Sequence, residues 1–214
     1  MIRSDEGLLM LKIYDAENFP NPKRVRLALR EKGALDQVEF VPVDVKSGEL
    51  RTPEMRAKNP DATVPFMELE DGTVIGRCNP IIEFIDATFD GPSLTGAAPQ
   101  ERAHISAMNL RVEEGLLDAG ADYFHHATAG LGPDLETDQV PAWGERQKRR
   151  TQETARYLNG VLADQEYLAG DNFSVADITA FTGISLAGAL GLLPDEDLAH
   201  LDRWKAKVAA RYES

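Results

Sequence analysis

The sequence predicts an α/β domain over residues 8–89 followed by an all-α domain over residues 99–214. Three observations predict this. Strand-like alternation and a hairpin signal are confined to the chain before Phe89, helical spacing dominates from Gln100 onward, and a segment rich in breakers lies between them. That segment, Asp90-Gly91-Pro92-Ser93 and Thr95-Gly96-Ala97-Ala98-Pro99, has little periodicity and marks the domain boundary. A length of 214 residues with 43% apolar side chains is enough for two small cores.

Leu9, Leu11 and Ile13 alternate with Met10 and Lys12, the period of a strand with one face on a core. Asn21-Pro22 then predicts a helix start, with Asn as N-cap and Pro at the first helical position, where its missing N–H is not needed. That helix is expected from Pro22 to Lys32, with Val25, Ala28 and Leu29 on the buried face, Arg24, Arg26, Arg30 and Glu31 mostly elsewhere, and Gly33 as the stop. Val38 to Val43 reads as a second strand and Pro53 to Lys58 as a short helix. Val64 to Leu69 and Thr73 to Ile75 flank Asp71-Gly72, a strong hairpin signal. Asn79-Pro80 repeats the cap-plus-proline pattern and is expected to open a third helix. This order implies one parallel βαβ unit and an antiparallel pair covered by helices, the order of a thioredoxin-like domain. In the second domain Ala103, Ile105, Met108, Val112, Leu116 and Leu117 form one apolar stripe, and Tyr157, Leu158, Val161 and Leu162 continue the helical pattern. Ser174-Val175-Ala176-Asp177 is a capping-box pattern expected to open a buried helix from Ile178 to Leu193.

Composition narrows the function. The 23 basic and 36 acidic side chains give a net charge of −13, which repels phosphate backbones and anionic lipid, so nucleic acid and membrane partners are disfavoured. The longest apolar runs, such as Leu8–Leu11 and Leu190–Pro194, are far shorter than the roughly 20 residues that span a bilayer. Met1 to Gly7 lacks the basic, apolar and small-residue regions of a signal peptide, so a cytoplasmic location is expected. A single cysteine, Cys78, excludes an internal disulfide, a Cys-x-x-Cys pair and a Cys-rich zinc site.

Four segments carry a family resemblance: Asn21-Pro-Lys-Arg-Val-Arg-Leu-Ala-Leu-Arg-Glu-Lys-Gly33, Asn59-Pro-Asp-Ala-Thr-Val64-Pro65, the start of the third helix, and Phe173-Ser-Val-Ala-Asp177. In this order, over nearly the whole chain, they resemble the cytosolic glutathione transferases. Tyr123-Phe-His-His-Ala-Thr-Ala-Gly-Leu-Gly-Pro133 with Trp143-Gly144 resembles a fungal and bacterial branch related to yeast Gtt-type enzymes. The resemblance implies the glutathione transferase fold, a homodimer, and glutathione as co-substrate without a metal. It also implies a thiolate that attacks a small-molecule electrophile bound between the two domains.

The resemblance also assigns roles. Val64 is expected to precede a cis Pro65 and to offer its backbone N–H and C=O to the cysteinyl unit of glutathione, much as an added strand would. The family opens its third helix with Glu or Gln followed by Ser or Cys, which hold the ammonium and carboxylate of the γ-glutamyl end. Here the pair is Arg77-Cys78, and two like charges roughly 4 Å apart repel by about 4 kcal/mol at an effective dielectric near 20. Arg77 avoids this repulsion if it swings outward or takes the carboxylate instead. Arg51 is expected to reach the glycyl carboxylate. The usual thiol-activating Ser position falls on Phe19, which cannot donate; it walls the electrophile pocket or fills the thiol's space. In this branch the N-terminus of the first helix, around Asn21, takes over thiol activation with polar help from the second domain.

Asp118, Asp122 and His125 are spaced to share one helical face, and Tyr123, His125 and His126 offer a base, a water-holding imidazole and a pocket wall. The branch has a helping His matching His125 and a hydroxyl one turn earlier, where this chain has Ala121. No third ligand spacing supports a metal at the two histidines. The absence of Cys from positions 14 to 22 argues against thiol-transfer chemistry. Tyr14 reads as packing rather than as a hydroxyl donor. Because Phe19, Arg77 and Ala121 depart together from the family pattern, the alternative is a binding or interaction protein on the same fold with weakened glutathione chemistry.

Overall fold

The computed structural model describes residues 11–212, so Leu9, Met10 and the expected outer limits at residues 8 and 214 lie outside the described residues. The chain divides into two compact units between Ser93 and Leu94.

The first unit contains β1 (Leu11–Asp15), α1 (Pro20–Glu31), β2 (Val38–Pro42), α2 (Pro53–Lys58), β3 (Phe66–Glu68), β4 (Val74–Gly76) and α3 (Cys78–Thr88). The sheet order is β2-β1-β3-β4, with β1 parallel to β2 and β3 antiparallel to both of its neighbours. Alternation along β1 buries both faces of the sheet. Tyr14 joins Phe66, Val43, Leu50 and Met55 in one cluster, while Leu11 and Ile13 project the opposite way and are equally buried. Gly33 stops α1 as expected: at φ +62 it lets the Ala34 N–H return to the Leu29 carbonyl. Gly72, at φ +83, turns the β3–β4 hairpin.

Two helix starts differ from the sequence expectation. Helix α1 begins at Pro20 with Phe19 as N-cap, so Asn21 is its second residue and Pro22 its third. Likewise α3 begins at Cys78 with Arg77 as N-cap, which puts Asn79 and Pro80 inside its first turn. Every amide of a first turn lacks an intrahelical acceptor, so proline fits its third position as well as its first, and local rules cannot choose between them. A third difference is burial: Arg24, expected away from the core, is fully buried, and Lys32 beyond the end of α1 is buried as well. Lys32 Nζ lies 3.0 Å from Asp86 Oδ1 and also donates to the carbonyls of Asp86 and Pro92.

The second unit contains α4 (Pro99–Val112), α5 (Asp118–Ala127), α6 (Pro141–Asp164), α7 (Val175–Ala189) and α8 (Ala199–Ala210). Helices α4 and α5 run into each other through a π-helical turn, Glu113–Leu117. Ile105, Met108, Val112, Leu116 and Leu117 are buried as the stripe predicts, but Ala103 is exposed. Helix α7 is buried on nearly every side from Val175 to Ile184, and it opens with the Ser174–Asp177 capping box. It ends at Ala189, short of the expected Leu193. Gly144 on α6 sets how closely α5 approaches, because a Cβ there would sit 2.6 Å from that of Ala127.

Candidate functional site

Strand register brings the first unit's candidates to one end of the sheet. Tyr14 pairs with Phe66, and Phe66 pairs with Gly76. The segments leaving β1, entering β3 and leaving β4 therefore begin side by side, and they carry Phe19 to Asn21, Val64 to Pro65, and Arg77 to Cys78 respectively. The Val64–Pro65 peptide bond is cis. Among the described residues the N–H and C=O of Val64 have no hydrogen-bond partner.

The heads of α1 and α3 are tied together by side chains. Cys78 Sγ lies 3.3 Å from the Asn21 carbonyl oxygen and donates to it. Arg24 reaches up from the core, its Nη1 3.2 Å from Asn21 Oδ1 and its Nη2 2.7 Å from Asn79 Oδ1. The Cys78 thiol therefore links the head of α3 to that of α1. The first turn of α1 carries one backbone donor among its first three residues, the amide of Asn21, because Pro20 and Pro22 have none. No described residue accepts from that amide.

Arg77 swings outward. Its guanidinium lies 3.0 Å from Asp61 Oδ2 and is about three-quarters exposed, a pair worth at most about 1 kcal/mol but one that leaves little net charge at this corner. Sequence reasoning missed Asp61, the partner of Arg77. Arg77 also holds φ +66 and ψ 147, a conformation only glycine adopts without strain. Arg77→Gly should therefore raise stability by about 1 kcal/mol in urea titrations despite the greater chain entropy of glycine; a loss would show that the Asp61 pair outweighs the strain.

Phe19 is half-buried beside Arg26, Phe40, Val43 and Asp15 on a groove of about 420 Å³. Arg26 pairs with Asp15 and lies over the Phe40 ring. Arg51 is exposed at the end of a single 3-10 turn, Glu49–Arg51, on the segment that follows β2. Tyr14 stacks on Phe66, donates its hydroxyl to Glu68 at 2.8 Å and accepts from Lys58 at 2.7 Å. The Tyr14 hydroxyl and then the Glu68 carboxylate hold the Lys58 ammonium well above its ordinary range, so this cluster braces β1, β3 and α2.

In the second unit, Tyr123, His125 and His126 are half-buried near the end of α5. His125 Nδ1 lies 2.7 Å from Glu136 Oε1. Asp122, expected on the His125 face, instead accepts from Trp143 Nε1 and Gln147 Nε2 on α6. The carboxylate that serves His125 comes from the loop after α5, where no helical spacing could reveal it. Among the described residues no group of three His, Cys, Asp or Glu side chains is arranged to hold a metal ion.

A thioredoxin-like sheet with a cis proline at the entry to β3, followed by an all-helical unit, defines the fold class of this protein. Comparison with known proteins specifies the family. Residues 20–88 match the glutathione S-transferase N-terminal domain model and residues 127–211 the C-terminal domain model. Glutathione S-transferase 2 of Saccharomyces cerevisiae is 44% identical over 93% of this chain and 85% of its own. A solved glutathione S-transferase domain-containing protein from Marinobacter aquaeolei is 62% identical, with a TM-score of 0.91 over 94% of this chain and 98% of that one. The structure of Gtt2 from Saccharomyces cerevisiae is 44% identical, with a TM-score of 0.89 over 92% and 95% of the two chains. The chain belongs to the glutathione S-transferase family and has its fold.

Proposed function

We propose that this protein is a glutathione transferase that takes glutathione as co-substrate and conjugates it to a small-molecule electrophile. The observation that carries the reading is the single unpaired first-turn donor of α1, the Asn21 amide, on the same sheet end as the unpaired N–H and C=O of Val64. The Val64 groups suit the cysteinyl backbone of glutathione, as one added strand residue. The Asn21 amide and the positive end of α1 favour the ionised sulfur over the thiol.

In this mechanism His125 is the proposed base that takes up the thiol S–H proton, giving thiolate and imidazolium. The sulfur lone pair then forms the S–C bond while the leaving group departs with its electron pair, or while the electrons move onto an acceptor atom in an addition. The Arg77–Asp61 pair presents the γ-glutamyl ammonium with a nearly neutral corner rather than an isolated cation. Arg51 is the proposed partner of the glycyl carboxylate, Phe19, Tyr123 and His126 the proposed electrophile walls, and a homodimer the proposed assembly.

The test is calorimetric titration with glutathione followed by conjugation assays with generic electrophiles. Wild type should bind and turn over, and His125→Ala should lower kcat about 100-fold while leaving glutathione affinity within about two-fold. Absence of glutathione binding to the wild type would sink the reading and favour a binding protein that has lost conjugation.

A further inference from the structure

We infer that Glu136 is the positioning residue of His125 on α5: it fixes neutral His125 with its proton on Nδ1 and leaves Nε2 as an acceptor. The adjacent His126 is fixed the opposite way. The inference rests on the proton-acceptor reading of His125 for its catalytic consequence, but not for its structural content.

A neutral imidazole carries one N–H, and a carboxylate only accepts, so the ring nitrogen 2.7 Å from Glu136 Oε1 must carry the proton. Nδ1–H of His125 therefore donates to Glu136, and its Nε2 keeps a bare lone pair that no described residue takes up. At His126 the partner is the amide of Val140, 3.1 Å from Nδ1, and an amide only donates. Nδ1 of His126 is thus the acceptor and its proton sits on Nε2. Two neighbouring rings in one helical turn present a base and a donor.

The fold builds the seat for Glu136. Gly130, at φ +53, has no Cβ, and one added there would lie 2.3 Å from Glu136 Oε1 and 2.6 Å from its Cδ. Glu136 Oε1 also accepts the Leu131 amide at 2.8 Å, and the Glu136 side chain is only 13% exposed. Gln139 Nε2 donates to the carbonyls of His125 and Thr128, so the loop closes back on the end of α5. A carboxylate held this firmly orients the imidazole and fixes which ring nitrogen carries the proton.

The experiment is long-range proton–nitrogen NMR of the full nitrogen-15-labelled chain at alkaline pH, where imidazoles are neutral, with His125→Gln and His126→Gln for assignment. His125 is expected with its proton on Nδ1 and His126 with its proton on Nε2. Glu136→Ala should return His125 to the Nε2–H form that predominates in free imidazole side chains, and Glu136→Gln, whose amide oxygen still accepts, should retain Nδ1–H. In turnover, Glu136→Ala should lower kcat about ten-fold with KM for glutathione within two-fold, and Glu136→Gln should recover most of it. A bare Nδ1 on His125 in the wild type overturns the proposal whether or not the Ala variant folds, and so does an unchanged tautomer in a folded Ala variant. The expected tautomers in a protein that does not conjugate would uphold the positioning by Glu136 while removing the transferase reading.

Discussion

Asp177→Ala is expected to lower stability by about 4 kcal/mol at neutral pH, several times the loss of an ordinary helix cap. The carboxylate is fully buried and serves four donors: Oδ1 accepts from Leu168 N–H and Trp204 Nε1–H, and Oδ2 from the N–H and hydroxyl of Ser174. Truncation leaves those donors in the core of the second unit without an acceptor, each at roughly 1 to 3 kcal/mol, partly relieved by water entering the space. Burial pushes the Asp177 carboxyl up to about 6 against the downward pull of the four bonds. The folded state then binds its proton more tightly than the unfolded chain, whose ordinary value is 3.8. The stabilisation from protonating Asp177 is fully present below about pH 4 and lost as pH rises through about 6. The advantage of wild type over Asp177→Ala should therefore grow on acidification from pH 7 to 4, by up to about 3 kcal/mol. Urea titrations of both proteins across that range check the prediction, and a loss below about 1 kcal/mol or an advantage that shrinks on acidification would contradict it.

Arg24→Ala is expected to cost about 3 kcal/mol and to weaken glutathione binding about ten-fold. Arg24 is the one fully buried arginine among the described residues, and it holds Asn21 and Asn79 in the first turns of α1 and α3. Asn21 in turn receives Cys78 Sγ, so releasing Arg24 loosens both helix heads together. Loss of stability comes from a vacated core site and from amide oxygens left without their cation. Loss of affinity is expected from displacement of the Asn21 amide, the proposed donor to the glutathione sulfur. Thermal unfolding and calorimetric titration read the two effects separately. A destabilised variant with unchanged glutathione affinity would make Arg24 a core residue only.

The helix starts show where local reading stops. Prolines at positions 20 and 22, or an Asn-Pro pair at 79, announce a helix but not its first residue, because any first-turn position tolerates proline. The π-helical turn that joins α4 to α5 was equally hidden: Leu116 and Leu117 continue an apolar stripe whether the turn is α or π. The exposed Ala103 on α4 shows that a small apolar residue at the right spacing does not ensure burial.

By itself the sequence determined the features whose causes lie within a few residues: the strand period of Leu11 and Ile13, Gly33 as a helix stop, Asp71-Gly72 as a hairpin turn, and the Ser174–Asp177 box. It also determined the motif order that identifies the family, because that order is itself a property of the sequence. Only the tertiary structure decided which charges are buried and which side chains meet. Arg24 finds Asn79 across 55 positions and Thr179 finds Asn109 across 70, while Glu136 comes round a loop to His125. A capping or turn preference is set by neighbours along the chain, and spacing therefore reveals it. The energy of a buried charge or of an oriented imidazole depends on partners that only folding supplies, and no local pattern encodes their position.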